Sequence, residues 1–211
     1  METLVAAAIH DAKNGLNALN TWLGEAHQQA PSPALDAAME VSTRISAQLV
    51  ELLAMYRADE GSLRLAIEDH HLMDFCSETV AEVIPPAGTS SRVTLALDPD
   101  HSPEVWAFDA YQVKLVLQDA LRNALRHART SVVLDVTGEP GGGVRFCVSD
   151  DGSGFPAPVL EGALSTMNSH SSGLGLRFAR VIAAHHATPD GRHGRLELSN
   201  QNGACFALVL P

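Results

Sequence analysis

The sequence predicts an α+β protein in two parts, an N-terminal antiparallel helical hairpin followed by an α/β sandwich. Roughly the first 60 residues show helical apolar spacing and no strand-like run. From residue 63 onward, β-branched runs alternate with amphipathic segments. The composition, 45% hydrophobic and 18% charged over 211 residues, is typical of a globular chain. We therefore place the two domains at residues 1–62 and 63–211.

The first part contains two long helices with a short connection. The segment 4–30 reads as one helix, and "PSP" at 31–33 ends it. Ser32 is suited to cap the second helix and Pro33 to begin it. Apolar residues then recur in steps of three and four up to Gly61. Because two helices alone bury little surface, we expect the hairpin to pair with a second copy as a four-helix bundle, making the protein a homodimer.

The second part is predicted to be a mixed sheet with helices on one face. Helices are predicted at 70–84, 109–128 and 173–186. Strands are predicted at 63–69 and 91–98, and hairpins at 130–151 and 194–211. Such an alternation of strands and helices is typical of a two-layer sandwich.

Composition also limits the partners. A formal net charge of -11 argues against nucleic acid or an anionic membrane as the main partner, since both need a basic surface. No apolar run approaches the roughly 18 residues of a membrane span, and the N-terminus lacks the basic start of a signal peptide. Cys76, Cys147 and Cys205 are predicted to be reduced core thiols of a cytoplasmic protein, rather than a disulfide or a zinc set.

A polar stripe runs along the first helix. On a helical wheel, Asn14, Asn17 and Thr21 fall within about 40° of His10, and Lys13 lies about 60° away. The apolar positions all lie about 100° or more from His10; they are Val5, Ala8, Ile9, Ala12, Leu16, Leu19, Leu23 and Ala26. His10 is therefore predicted to face solvent rather than the core.

Two interpretations of His10 remain open at this point. One is an ordinary solvated helix face. The other is a nucleophile, since a neutral imidazole is nucleophilic near pH 7. In that case Asp11 is suited to hydrogen-bond one ring nitrogen and activate the other, and Asn14, one turn on, to orient a water. The first part has no concave site of its own, so the reactant would come from the second part.

The helix over 109–128 and the strand end that follows it carry a second polar group. Asp119 and Asn123 are four residues apart and share a face, with Arg126 and His127 nearby. Asn123 offers an oxygen suited to Mg²⁺, which is usually held by one or two protein oxygens and by phosphates. A plain polar helix face is the alternative. Asp150, at a strand end, is suited to accept from an adenine amino group.

Two glycine-rich segments complete the pattern. In "DDGSG", Gly152 and Gly154 permit a close approach of backbone to a flat ligand, although such a segment is often only a turn. "SSGLGL" places Gly173, Leu174 and Gly175 at a helix start, where free N–H groups favour phosphate. Each segment is weak evidence by itself.

In this order and spacing, the segments resemble the histidine protein kinases of two-component signalling. "HDAKN" is similar to the H-box, "DALRNALRHA" to the N-box, "DDGSG" to the G1 box and "SSGLGL" to the G2 box. The resemblance covers almost the whole chain. It implies a dimerisation and phosphotransfer hairpin at 1–62, followed at 63–211 by an ATP-binding domain of the GHKL (Bergerat) type.

The resemblance also implies roles for individual residues. His10 would take the γ-phosphoryl group of ATP, Asp11 would assist as base, and Asn14 would position water. Asn123 would hold Mg²⁺ and Asp150 would bind the adenine amino group. The remaining nucleotide-binding positions are Asp119, Arg126, His127, Gly152, Gly154, Gly173, Leu174 and Gly175.

The sequence departs from the family pattern at three places. Ser171 occupies the position of the first G2 glycine, His127 replaces an aromatic residue, and Asp119 stands where asparagine is frequent. The segment between Gly154 and Gly173 is short and has no paired phenylalanines, so the lid over the phosphates is expected to be reduced.

The predicted function is ATP-dependent autophosphorylation of His10 and transfer to a response-regulator receiver domain, with possible phosphatase activity. One alternative is a phosphorelay histidine phosphotransferase whose second domain no longer binds ATP. Another is a serine kinase or ATPase of the same superfamily, which the "HDAKN" hairpin disfavours. The chain is expected to be either the core of a longer kinase or a protein that receives its signal in trans.

Overall fold

A computed structural model describes residues 2–83, 93–97, 101–162 and 173–211, apart from the side chains of residues 2–7 and of His10. The chain divides into two compact units, Met1–Leu63 and Arg64–Pro211. The first unit is helical and the second combines a mixed sheet with helices. The α+β class predicted from the sequence is confirmed.

The first unit consists of helices α1 (Glu2–Gln29) and α2 (Pro33–Asp59), which pack against each other. The Ser32 hydroxyl accepts a hydrogen bond from the backbone N–H of Leu35, and Pro33 occupies the first turn of α2. The two-helix organisation and its capped connection therefore match the sequence prediction.

The hairpin leaves much of its apolar surface uncovered. Within α2, the described residues that are buried are Ser42, Glu51 and Ala54. Large apolar side chains that remain exposed in the single chain include Leu19, Trp22, Val41, Ile45 and Leu52. Trp22 has an exposed fraction of 65%. A surface of this kind is typical of an interaction face.

The second unit contains a five-stranded sheet and a small two-stranded one. The helices are α3 (Leu72–Val83), α4 (Ala110–His127), α5 (Ala157–Leu160) and α6 (Leu174–His185). The strands are β1 (Glu68–His71), β2 (Val93–Leu97), β3 (Val105–Phe108), β4 (Val132–Gly138), β5 (Val144–Asp150), β6 (Arg195–Asn200) and β7 (Ala204–Leu210). The large sheet has the order β2-β4-β5-β7-β6, in which β2 and β4 are parallel and the other pairs antiparallel.

The core lies between this sheet and its helices. Alternate residues of β4 and β5 are fully or almost fully buried, namely Val132, Leu134, Val136, Val144, Phe146 and Val148. Helix α4 packs on β4 and β5, α6 packs on β6 and β7, and α3 packs on β2. Residues between the buried ones are half-buried, which is the pattern of a sheet with one fully covered face.

Three local predictions were wrong. The strand predicted at 63–69 begins only at Glu68, because the preceding segment does not pair; the N–H of Ala66 donates to the Asp109 carboxylate instead of to a neighbouring strand. His70 and His71, predicted to begin a helix, lie in β1. Strand β3 and the one-turn helix α5 were not predicted, since segments of four residues carry little periodicity.

Asp109 and His186 join the start of α4 to the end of α6. One Asp109 carboxylate oxygen accepts from the N–H of Gln112 and caps α4, and the other accepts from Ala66. The backbone N–H of Asp109 donates to Nε2 of the buried His186 at 3.1 Å. Nε2 is therefore an acceptor, so Nδ1 carries the proton and donates to the carbonyl of Ile182 at 2.8 Å. Both ring nitrogens have partners only in the neutral imidazole.

Acidification is expected to weaken this connection. Burial lowers the pKa of His186 below its usual value. The unfolded chain therefore binds a proton at His186 more readily than the folded chain does. The stability that the neutral His186 provides is complete above about pH 6.5 and is lost as the pH falls below that value. His186→Gln should unfold at a lower temperature than the wild type at pH 7.5, by about 1–3 kcal/mol in stability. Thermal unfolding should show the two proteins converging at pH 5.5.

The matched control is His185→Gln, because His185 neighbours His186 but is exposed. That variant should keep the pH dependence of the wild type. A difference between wild type and His186→Gln that stays constant from pH 7.5 to pH 5.5 would contradict the neutral-imidazole assignment.

Candidate functional site

The predicted phosphotransfer residues lie on one helix. His10, Asp11 and Asn14 all belong to α1, and the spacing from 10 to 14 is about one helical turn. The side chain of His10 lies outside the described residues. Asp11 and Asn14 are exposed, and so are Asn17 and Thr21 on the same stripe. The described part of the stripe therefore faces solvent in the single chain.

The predicted nucleotide residues of α4 lie on its polar face. The helix buries its opposite face, which comprises Val113, Val116, Leu117, Ala120, Leu121 and Ala124. This pattern leaves Asp119 and Asn123, one turn apart, on the same side of the helix. Asn123 is half-buried, and Arg126 and His127 are exposed in the last turn.

Asp119 contacts the start of α6. A β-carbon added at Gly175 would overlap the Asp119 carboxylate, so a side chain there would force that carboxylate to shift. The accessible surface of Asp119 is large, although protein surrounds the residue on several sides. This surrounding protein raises the pKa of Asp119 by desolvation, and Arg122 and Arg126 oppose the rise. Asp119 of the N-box and Gly175 of the G2 segment are therefore in contact, and the Asp119 side chain stays accessible to solvent.

Asp150 is held at the end of β5. Its Oδ1 accepts from the N–H of Gly152 at 2.7 Å and, more weakly, from the N–H of Ala204 at 3.4 Å. Within the described part of the chain, its Oδ2 has no hydrogen-bond donor. One oxygen therefore fixes the carboxylate, and the other is available as an acceptor.

Gly152 brings the G1 turn against the end of α4. A β-carbon at this position would overlap the carbonyl oxygen of His127 and lie 2.8 Å from Oδ1 of Asp150. A side chain would therefore separate the turn from α4 or displace the Asp150 carboxylate. The structure thus brings Asp150 and Gly152 together with the backbone carbonyl of His127.

Two further residues shape the site and were missed by sequence reasoning. The Asp151 carboxylate accepts from the backbone N–H groups of Arg129, Thr130 and Ser131 and from the Thr130 hydroxyl. These bonds lower the pKa of Asp151 and fix the loop between α4 and β4. Asp151, which follows Asp150 in the sequence, therefore stabilises this loop. The second residue is Asn200.

Asn200 holds the segment that follows the G1 turn through two hydrogen bonds to its backbone. Its Oδ1 accepts from the N–H of Phe155 at 2.8 Å, and its Nδ2 donates to the carbonyl of Phe155 at 3.0 Å. The side chain also lies against Gly154. An asparagine at the end of β6, 45 residues from Phe155, carries no local signal in a single sequence.

The G2 segment is described only in part. Gly173 is the N-cap of α6, and Leu174 and Gly175 belong to its first turn. The departure at Ser171 and most of the predicted short lid fall at 163–172, outside the described residues. The preceding stretch contains α5.

The described residues show neither a cluster of three or more His, Cys, Asp or Glu side chains for a metal nor a helix long and apolar enough to cross a membrane. An Mg²⁺ ion shared with nucleotide phosphates needs only one or two protein oxygens. The Asn123 amide oxygen meets that requirement chemically. The Asp150 acceptor, held by the N–H of Gly152, suits the amino group of an adenine ring chemically.

A helical hairpin followed by this sandwich is the organisation that the resemblance to a histidine-kinase core predicts. Residues 108–211 match the model of the family "Histidine kinase-, DNA gyrase B-, and HSP90-like ATPase". The chain is 26% identical over 224 residues to the sensor histidine kinase ZraS of Escherichia coli K12, covering 99% of this chain and 45% of ZraS. It is 27% identical over 181 residues to the alginate biosynthesis sensor protein KinB of Pseudomonas aeruginosa, covering 82% of this chain and 29% of KinB.

Solved structures show the same fold. Full-length ShkA in complex with AMPPNP superimposes over 100% of this chain and 46% of its own, with a TM-score of 0.71 and 18% identity. The Acinetobacter baumannii histidine kinase AdeS covers 92% of this chain and 94% of its own, with a TM-score of 0.61 and 14% identity. The predicted resemblance to histidine kinases is confirmed. The chain spans less than half the length of the two curated relatives.

Proposed function

We propose that the chain is the catalytic core of a two-component histidine kinase, which phosphorylates His10 with ATP and passes the phosphoryl group to an aspartate of a receiver domain. The observation that carries the proposal is the Asp150 carboxylate, fixed through one oxygen at the end of β5 with its other oxygen available beside Gly152. The family match over 108–211 and the histidine-bearing helix α1 support it.

The second unit would bind the nucleotide. Asp150 would accept from the adenine amino group, and Gly152, packed against the end of α4, would hold the turn that fixes Asp150. The N-terminus of α6, with Gly173, Leu174 and Gly175, would face the phosphates, since the positive end of the helix dipole favours anions. Asn123 would hold Mg²⁺, and that ion supplies neutralisation of phosphate charge. Asp119, Gly154, Arg126 and His127 would complete the site.

The first unit would supply the nucleophile. One nitrogen of the neutral His10 imidazole attacks the γ-phosphorus, the bond to the bridging oxygen breaks, and ADP leaves. Asp11 takes the proton from the other ring nitrogen, which leaves the imidazole ring of the phosphohistidine uncharged and the phosphoryl oxygens negative. Asn14, one turn away, would orient water in the phosphatase direction. Catalysis rests on positioning, because a neutral imidazole near pH 7 is already nucleophilic.

The hairpin would also make the dimer. Exposed apolar side chains on both helices, such as Trp22 and Ile45, favour burial against a second copy as a four-helix bundle. A receiver domain of a response regulator would dock near His10 and carry the acceptor aspartate. The site is proposed to work in the cytoplasm, where ATP and such regulators occur.

Acid lability tests this proposal. The purified chain is incubated with γ-labelled ATP and Mg²⁺, and the labelled protein is divided between acid and alkali. We expect label that is lost in acid and retained in alkali, since phosphohistidine is acid-labile. Label that survives acid would indicate a hydroxyl acceptor and would overturn the assignment in favour of a serine kinase of the same superfamily.

A further inference from the structure

Two of the three cysteines lie side by side on the half-covered face of the large sheet. All three cysteines are free in the structure. Cys147 and Cys205 are 58 residues apart in the chain, yet their Sγ atoms are 2.9 Å apart. Cys147 is half-buried rather than in the core, which corrects the prediction of three core thiols.

Strand register explains this proximity. Cys147 on β5 pairs with Ala207 on β7, and Cys205 pairs with Ser149. The two cysteines are therefore two positions apart along antiparallel neighbours and point to the same face of the sheet. The intervening buried residues, such as Val148 and Phe206, point to the other face. The thiols thus meet because of the pairing of β5 with β7, which holds both strands in the core sheet.

We propose that Cys147 and Cys205 are a redox modification site, at which a peroxide oxidises the two thiols to an intramolecular disulfide. An S–S bond is about 2.05 Å long, so the sulfurs need to approach by only about 0.9 Å from their 2.9 Å separation. Because the pair is diagonal, with Cα atoms typically about 7–8 Å apart, closing the bond also draws β5 and β7 together locally. The proposal does not depend on the proposed kinase activity.

The surroundings favour a thiolate in this pair. A hydrogen bond from the Cys147 thiol lowers the pKa of Cys205, and Arg145 on β5 lowers it further. The same hydrogen bond raises the pKa of Cys147. The two thiols therefore titrate as a coupled pair, which loses its first proton more easily than its second. A thiolate is the form that reacts with peroxides. The half-buried Cys147 gives a small oxidant access to this pair.

The oxidation balances with hydrogen peroxide as the oxidant. The thiolate sulfur attacks one peroxide oxygen, the O–O bond breaks, and hydroxide leaves and takes up the proton that the thiol had released. The resulting sulfenic acid is attacked by the second thiol, the S–O bond breaks, and water leaves with that thiol's proton. Two thiols lose two electrons in total, and one peroxide becomes two waters.

Cys76 provides an internal comparison. It lies in α3, is fully buried, and burial raises its pKa to about 12. A thiol of this kind stays protonated and enclosed, so it should resist the same treatment. Selective loss of two thiols with retention of the third is therefore the signature of the proposed site.

The test uses the whole reduced chain treated with hydrogen peroxide, then unfolded and alkylated. We expect alkylation of Cys76 alone, a mass about 2 Da lower before alkylation because two hydrogens are lost, and a Cys147–Cys205 cross-linked peptide in a non-reducing digest. Dithiothreitol should restore three reactive thiols. Cys76→Ser should behave as the wild type, and Cys147→Ser should form no intramolecular cross-link.

Three outcomes would overturn the proposal. The first is that all three thiols stay reactive although the peroxide has fully oxidised a free thiol added as a control. The second is a cross-link that includes Cys76. The third is oxidation of Cys147 or Cys205 to sulfinic acid with no cross-linked peptide. Each is read on the wild-type chain, so the result does not depend on whether a serine variant folds.

Discussion

Replacing His10 with glutamine is expected to abolish transfer of the γ-phosphoryl group from ATP to the protein. Glutamine preserves helix propensity but has no nucleophilic ring nitrogen. Loss of a nucleophile typically costs about 10⁴-fold or more in rate. Phosphorylation measured with γ-labelled ATP should fall to background, while ATP affinity, measured separately, should stay at the wild-type value.

His27→Gln is the matched control. His27 lies in the last turn of the same helix, and its Nδ1 is 3.2 Å from an Asp36 oxygen. It should lose no label. Undiminished label in His10→Gln would place the acceptor elsewhere. Equal loss in both variants would show that the loss is not specific to His10. Either result would contradict the role proposed for His10.

Replacing Asp150 with asparagine is expected to give the second-largest effect, on nucleotide affinity. The asparagine oxygen can still accept from the N–H groups of Gly152 and Ala204, so the turn is retained. The other terminal atom becomes an amide nitrogen, a donor that meets the donor of the adenine amino group. Loss of a charged hydrogen bond costs about 1.5–3 kcal/mol, or roughly 10- to 150-fold in the dissociation constant of ATP.

The affinity is best measured by titration calorimetry beside the control Asp190→Asn, which neutralises an exposed aspartate paired with Arg192. The control should bind as the wild type does, and thermal unfolding should show that Asp150→Asn is folded. A folded Asp150→Asn protein with wild-type affinity for ATP would remove Asp150 from the adenine site. The same variant should keep its affinity for inorganic triphosphate, which lacks the base.

Much of the fold could be predicted because its signals are local. The capped connection at Ser32 and Pro33, the amphipathic pattern of α4 and the glycine-rich turn between β4 and β5 each depend on neighbouring residues. These features gave the helices and hairpins close to their observed bounds. The order of four short motifs along the chain then indicated the family, although each motif alone is weak.

Other features depend on contacts between distant segments, which leave no local pattern. β1 and β3 pair across the intervening α3 and β2, and each has only four residues. Asn200 reaches Phe155, and Asp119 meets Gly175, through the packing of different elements. The sequence therefore indicated which residues form the candidate site, but not what holds them in place.

The proximity of Cys147 and Cys205 shows the same limit. Their separation along the chain favoured independent thiols, and only the register of β5 with β7 brings the sulfurs together. Register follows from the whole set of inward-facing residues on both strands, not from the cysteines themselves. A single sequence, without knowledge of the strand pairing, therefore could not predict that the two thiols lie close together.

Calorimetric titration of ATP with Mg²⁺, on the wild-type chain and on Asn123→Ala, tests the central claim most directly. The account predicts binding by the wild type in the micromolar to sub-millimolar range, about 5–8 kcal/mol, and loss of that binding in the variant, with the fold retained by circular dichroism. No binding by a folded wild-type chain would contradict the claim of a nucleotide-using kinase. The second unit would then be a structural remnant, and His10 would receive its phosphoryl group from another phosphoprotein.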